Sequence, residues 1–142
     1  MDRINIITLG TRDIAASLEF YRNMGFEATV VGDGKVPEIV FFRISGSKLA
    51  LFPLEKLAAE TGIDPSYEVG FNGITLAYNA KSEGEVDQVL KDAESFGGKV
   101  SSAAKATEWG GYGGYFTDLD GYTWEVAFGP DWEFDDDNML II

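Results

Sequence analysis

Residues 109–130 read WGGYGGYFTDLDGYTWEVAFGP, and the pattern is strand, tight turn, strand. Tyr115 and Phe116 lead into a turn at Asp118-Leu119-Asp120-Gly121. Tyr122 to Phe128 then alternates, with Trp124, Val126 and Phe128 on one face. Tyr122, Thr123 and Val126 supply the aromatic and β-branched content that strands favour. Glu125 stands on the opposite parity, a carboxylate within an otherwise apolar strand. Glycines 110, 111 and 113 mark a sharp turn or a close approach of the backbone.

Working outward, the chain repeats one order of elements. Ile4 to Leu9 reads as a strand, and Asp13 caps a helix whose apolar face is Ile14, Leu18 and Tyr21, with Ser17 and Glu19 toward solvent. Gly25 ends that helix, and strands follow at Phe26–Val31, Glu38–Ile44 and Lys48–Phe52, with a turn region over Gly32–Pro37. LEKLAAE carries a short helix ended by Gly62, and a linker holding Pro65 and Gly70 runs on to Asn72. The order then restarts. Gly73 to Asn79 is a strand, Ser82 and Glu85 form a capping box, and Val86, Val89, Leu90 and Ala93 sit at helical spacing before Gly97-Gly98. A strand over Lys99–Ala104 leads to the opening hairpin. Ile7-Thr8-Leu9 recurs as Ile74-Thr75-Leu76, each leading into a helix. An internal duplication is therefore expected: two βαβββ modules, an α+β fold with mixed, mostly antiparallel sheets that curl around a shared cleft. The expected division is 1–65, 66–130 and a tail over 131–142, all in one compact domain.

Composition narrows the function. The 142 residues, 45% hydrophobic and 25% charged, are ordinary for a globular protein. No apolar run reaches the roughly 20 residues that span a membrane, and the N-terminus lacks a signal-peptide pattern, so the expected location is cytoplasmic. Histidine and cysteine are absent, which removes the usual neutral-pH base, thiolate chemistry and the commonest transition-metal ligands. The net charge of -13 disfavours nucleic acid and anionic membranes as partners and favours the approach of small cations. The glycines at 110–114 do not form a phosphate-binding motif, and no hydrolase triad is possible without histidine.

The stretches INIITLGTRDIAASLEFYRNMGFEATVV and GGYFTDLDGYTWEVAFGPDW resemble the vicinal oxygen chelate superfamily, which includes glyoxalase I, extradiol dioxygenases and bleomycin-binding resistance proteins. The resemblance spans about residues 3 to 130. It implies metal ligands on the first and last strand of each module, positions that fall near Ile6, near Leu49, near Gly73 and at Glu125. Only Glu125 has a donor side chain. Moving the register to Thr8 or Thr75 adds only neutral hydroxyls, and one carboxylate does not hold a catalytic divalent ion tightly. The resemblance thus implies a member without the usual metal ligands, needing no cofactor, and a homodimer as its relatives commonly are.

Five residues are candidates for the site. Glu125 is either a cavity carboxylate or the partner of a base such as Arg12 or Arg43. Trp109, beside two glycines, reads as a pocket wall, whereas Trp124 reads as core. Tyr115 shares the Glu125 hairpin, and Phe41 and Arg43 share a parity in the first module. Arg43 is equally a cavity cation or a surface residue. The expected function is metal-independent binding of a small amphipathic or aromatic molecule, cationic or neutral, in the manner of bleomycin-binding relatives. The alternative is a lyase or isomerase using Glu125 as acid, base or metal ligand, and a third reading is a partner-binding domain with a filled cleft. In the tail, the five carboxylates between Asp131 and Asp137 are expected in solvent, with Met139–Ile142 docked on the body or on a second subunit.

Overall fold

The structure is a computed structural model describing residues 1–32, 35–65 and 70–142. The expected turn over Gly32–Pro37 and the expected linker each lie partly outside the described residues. The chain divides into two compact units, Met1–Glu68 and Val69–Ile142. Each is a βαβββ module.

In the first unit, β1 (Ile6–Thr11), α1 (Ile14–Asn23), β2 (Ala28–Val31), β3 (Ile39–Phe42) and β4 (Lys48–Pro53) precede α2 (Leu54–Thr61). The sheet order is β1-β4-β3-β2, with β1 and β4 parallel and the other neighbours antiparallel. Asp13 caps α1, its carboxylate accepting from the backbone of Ala15 and Ala16. The buried face of α1 holds Ile14, Leu18, Phe20 and Tyr21, and Tyr21 meets Phe26 and Phe42 with ring centroids 5.4 and 5.1 Å away. Ser17 belongs to this face too, at 3% exposure, which corrects its expected solvent position. It follows Ile14 by three residues and so shares its side of the helix. Its hydroxyl is satisfied there by Thr11, 2.6 Å away.

The second unit repeats the plan with β5 (Thr75–Asn79), α3 (Glu83–Ser95), β6 (Lys99–Ala106), β7 (Tyr112–Thr117) and β8 (Thr123–Phe128) in sheet order β5-β8-β7-β6. Ser82 accepts from the Glu85 amide, and the Glu85 carboxylate accepts from the Lys81 amide. Val86, Leu90 and Ala93 of α3 pack on the sheet face that carries Phe116, Trp124 and Val126. Trp124 lies there at 9% exposure, parallel to Phe116, as a core residue.

The registers define the repeat. In the first sheet Thr8, Ala50, Phe41 and Thr29 stand side by side across β1, β4, β3 and β2. In the second, Ala77, Glu125, Tyr115 and Ser102 make the same row across β5, β8, β7 and β6. Thr8 and Ala77 also sit equally far before their helix caps, Asp13 and Ser82. Thr8 is thus matched by Ala77, not by Thr75 as the recurring Ile-Thr-Leu tripeptide suggests. The positions expected near Ile6, Leu49 and Gly73 likewise move to Thr8, Ala50 and Ala77, and none of these is a metal ligand.

One difference separates the modules. On the face carrying Thr8, the backbone of Gly10 meets α2 so closely that an added Cβ would lie 2.7 Å from Leu54 Cδ1. Helix α2 thereby packs on β1 and β4, and Ala50 is fully buried. Among the described residues, no corresponding helix follows the last strand of the second unit.

The tail folds back on the second unit. Phe134 bridges Leu140, the Glu133 carbonyl accepts from the Ile141 amide at 2.9 Å, and Asp135 accepts from the amides of Asp137 and Met139. Lys81 holds this hairpin, its ammonium 5.5 Å from the Phe134 ring centroid and bonded to Asn138. The five tail carboxylates are exposed, as expected, and Met139, Ile141 and Ile142 remain largely exposed as well. No helix among the described residues is long and apolar enough to cross a membrane.

Candidate functional site

The hairpin β7–β8 determines the site. Asp118 is buried at its turn, its carboxylate accepting from the amides of Asp120 and Tyr122 at 3.0 and 2.9 Å. That arrangement fixes the register in which Tyr115 faces Glu125. Alternation then puts Trp124 and Val126 against α3, and Tyr115, Glu125, Gly113 and Ala127 on the other face. That face borders a cavity of about 450 Å³.

The floor is made by Gly113 and Ala127, neighbours across the same hairpin. Their small side chains leave open space above the sheet at that point. The polar side is Glu125, Tyr115 and Ser102, consecutive in one row. Burial first, then the charge of Glu125 and a hydrogen bond to its carboxylate, push the Tyr115 phenol above its ordinary pKa. The phenol is therefore a protonated donor at neutral pH.

Trp109 forms a wall. Its ring lies over Gly111, where a Cβ would come within 2.0 Å of Cζ3 and 2.6 Å of the Phe128 carbonyl. Its indole stacks on Trp132, centroids 5.4 Å apart and planes at 17°, and Trp132 in turn lies against Gly129. Trp109 remains 55% exposed, so the stack presents an apolar surface to solvent at the cavity. Lys105 and Glu108, at the end of β6 and on the loop after it, complete the charged part of the lining.

Three of the five candidates, Trp109, Tyr115 and Glu125, line this one cavity. Phe41 and Arg43 belong to the first unit, where Phe41 is the counterpart of Tyr115 and Arg43 donates from Nε to Thr29 Oγ1 at 3.1 Å. Sequence reasoning missed Lys105, Ser102 and Trp132. Lys105 and Ser102 are three apart and should face opposite ways on a regular strand. Trp132 falls in a stretch read only for its charge, although the nearby Gly129 was a signal of a close ring contact.

The donor set does not fit a catalytic metal. The neighbours of Glu125 in its row are Ala77, Tyr115 and Ser102, and among the described residues no three His, Cys, Asp or Glu side chains converge.

The family model described as glyoxalase/bleomycin resistance protein/dioxygenase superfamily matches residues 3–126. Among solved structures, a glyoxalase-related enzyme from Fulvimarina pelagi is similar over 100% of this chain and 99% of its own, with 31% identity and a TM-score of 0.88. A lactoylglutathione lyase from Agrobacterium tumefaciens is similar over 94% of this chain and 98% of its own, with 26% identity and a TM-score of 0.65. A hypothetical protein from S. aureus shares the fold at 21% identity, over 91% of this chain and 94% of its own, with a TM-score of 0.78. No curated protein matches the chain.

Proposed function

The chain belongs to the glyoxalase/bleomycin resistance protein/dioxygenase superfamily, and we propose that it binds a small aromatic or amphipathic molecule without a metal, sequestering it rather than transforming it. The observation that carries this reading is the cavity itself: a Gly113/Ala127 floor, the Trp109 ring as a wall, and Glu125 with no second carboxylate in its row. Burial of ligand surface against Trp109 supplies affinity at about 25 cal/mol per Å². Glu125 and the overall charge of -13 favour a ligand with a cationic group. The reading has the protein act in the cytoplasm as a homodimer. Calorimetry against a panel of cationic and neutral aromatic compounds tests the binding. Micromolar affinity for at least one class is expected, with loss in Trp109→Ala, and nothing tighter than millimolar across the panel would overturn the reading.

A second reading has one observation in its favour, the Tyr115–Glu125 pair. A carboxylate facing a phenol across the hairpin is suited to moving a proton on a bound substrate, as in a lyase or isomerase. Assay with the methylglyoxal–glutathione adduct separates the two readings: turnover that disappears in Glu125→Gln supports catalysis.

A further inference from the structure

Strand β6 is out of step with its neighbour. Val100 pairs with Phe116, Ser102 with Tyr115, and Lys105 with Gly113, so β6 gains an extra residue at each of two register shifts. Such bulges turn a side chain to the other face of a strand. The second shift brings Lys105 to the cavity face together with Ser102, where regular alternation would send it to the α3 side. A lysine thereby reaches a cavity that already holds Glu125.

The two charges are kept apart. Lys105 pairs with Gly113, Gly113 with Ala127, and Ala127 lies two residues beyond Glu125 on β8. Two strand spacings of about 4.8 Å and one side-chain repeat of about 6.8 Å put their Cα atoms roughly 12 Å apart. Between them lies the Gly113/Ala127 floor, and among the described residues no salt bridge joins Lys105 to Glu125 or to Glu108. Tyr115 stands on the Glu125 side, its direct cross-strand partner. The cavity therefore presents an acceptor end and a donor end across an apolar floor, with Trp109 as wall.

We propose that the ligand is dipolar: an aromatic body with a cationic amino or amidinium group at Glu125 and an anionic group, such as a carboxylate, at Lys105. The inference rests on the binding reading above and narrows its ligand class. A ligand with a cation alone would leave the lysine uncompensated, and one with an anion alone would face Glu125 and Glu108.

The test uses the full chain and four matched probes in titration calorimetry: 4-(aminomethyl)benzoate, its methyl ester, its N-acetyl derivative, and methyl 4-methylbenzoate. The first carries both charges at opposite ends of a ring, the next two carry one each, and the last carries none. The dipolar probe is expected to bind about tenfold tighter than either singly charged probe, the size of effect one charge-assisted hydrogen bond gives. Lys105→Gln should remove its advantage over the ester alone, and Glu125→Gln its advantage over the N-acetyl derivative alone. Glu19→Gln, on the exposed side of α1 and away from the cavity, should leave both advantages in place. If ester and dipolar probe bind alike and Lys105→Gln changes neither, the dipolar inference is wrong while the aromatic-binding reading stands. If none of the four binds while a broader aromatic panel does, the inference again fails alone; if neither set binds, both fail.

Discussion

Tyr115 and Glu125 stand directly opposite each other on β7 and β8, and the carboxylate of one adds to burial in holding the phenol of the other above its ordinary pKa. The pair is half-buried, and burial is the first cause of the raised Tyr115 pKa, ahead of the carboxylate charge and the hydrogen bond to it. In an alkaline titration followed by tyrosinate absorbance, Tyr115 is expected to ionise later than an ordinary tyrosine. Glu125→Gln should bring that ionisation to lower pH, because the charge and the charge-assisted bond both go. A titration unchanged by Glu125→Gln would show that the pair does not govern Tyr115.

Tyr78 gives a second alkaline signal, with a stability consequence. Burial, then its bond to Glu85 and the Glu85 charge, raise it from 10.0 to about 12. The folded pKa lies above the unfolded one, so its contribution is full below pH 10.0 and is lost as pH rises toward about 12. Denaturant unfolding just below pH 10.0 and again near pH 12 should show a smaller decline in Tyr78→Phe than in the parent chain. An equal decline in both would remove Tyr78 from the account.

The turn that sets the site can be broken on its own. Asp118 accepts from the Asp120 and Tyr122 amides while buried at the end of the hairpin. Asp118→Ala leaves those donors without their acceptor and is expected to cost about 1–3 kcal/mol. Asp118→Asn keeps an acceptor oxygen and should recover most of it. Chemical denaturation of the three chains provides the comparison. Ligand affinity should follow the same order, since Tyr115 and Glu125 depend on this register.

Much of this was legible from residue order because local rules agreed with the fold. The caps Asp13 and Ser82, the hairpin turn at Asp118 and the alternation of Trp124, Glu125 and Val126 all arise from short-range chemistry. Ser17 differs from the expectation because a hydroxyl alone suggests solvent, whereas its partner Thr11, across the turn between β1 and α1, satisfies it in the core. The repeat was detected but set two residues off by a chance tripeptide, since strand register depends on pairing that no single strand encodes. Lys105 was invisible for the same reason: a bulge is a property of two strands. Trp132 was hidden because its partner, Trp109, lies on a separate loop.

The isolated carboxylate makes a prediction about metals. Glu125 has Ala77 on one side and Tyr115 on the other, so even with Glu108 on the loop a divalent ion would find at most two carboxylates where tight binding needs three or four ligands. Zinc, nickel and manganese at tenfold excess are expected to leave the melting temperature within about 1 °C of the metal-free value, since a ligand stabilises only in proportion to its occupancy. A saturable rise of several degrees that vanishes in Glu125→Gln would overturn the metal-independent reading.

The stacked tryptophans offer a spectroscopic handle on the cavity wall. Trp109 and Trp132 lie nearly parallel because Gly111 and Gly129 leave no side chain beneath either ring. Gly111→Ala puts a methyl group within 2.6 Å of the Phe128 carbonyl, a backbone atom that cannot swing aside, besides displacing the Trp109 ring. Two coupled indoles give a characteristic circular dichroism signal, which should be present in the parent chain and lost in both Gly111→Ala and Trp132→Phe. The stability cost of Trp132→Phe should be modest, about 0.5–1.5 kcal/mol, as for an aromatic pair at a partly exposed site. Ligand affinity should fall in Gly111→Ala, where Trp109 moves, by more than in Trp132→Phe, where Trp109 keeps its seat on Gly111. Equal affinity in all three chains would show that Trp109 is not part of the binding wall.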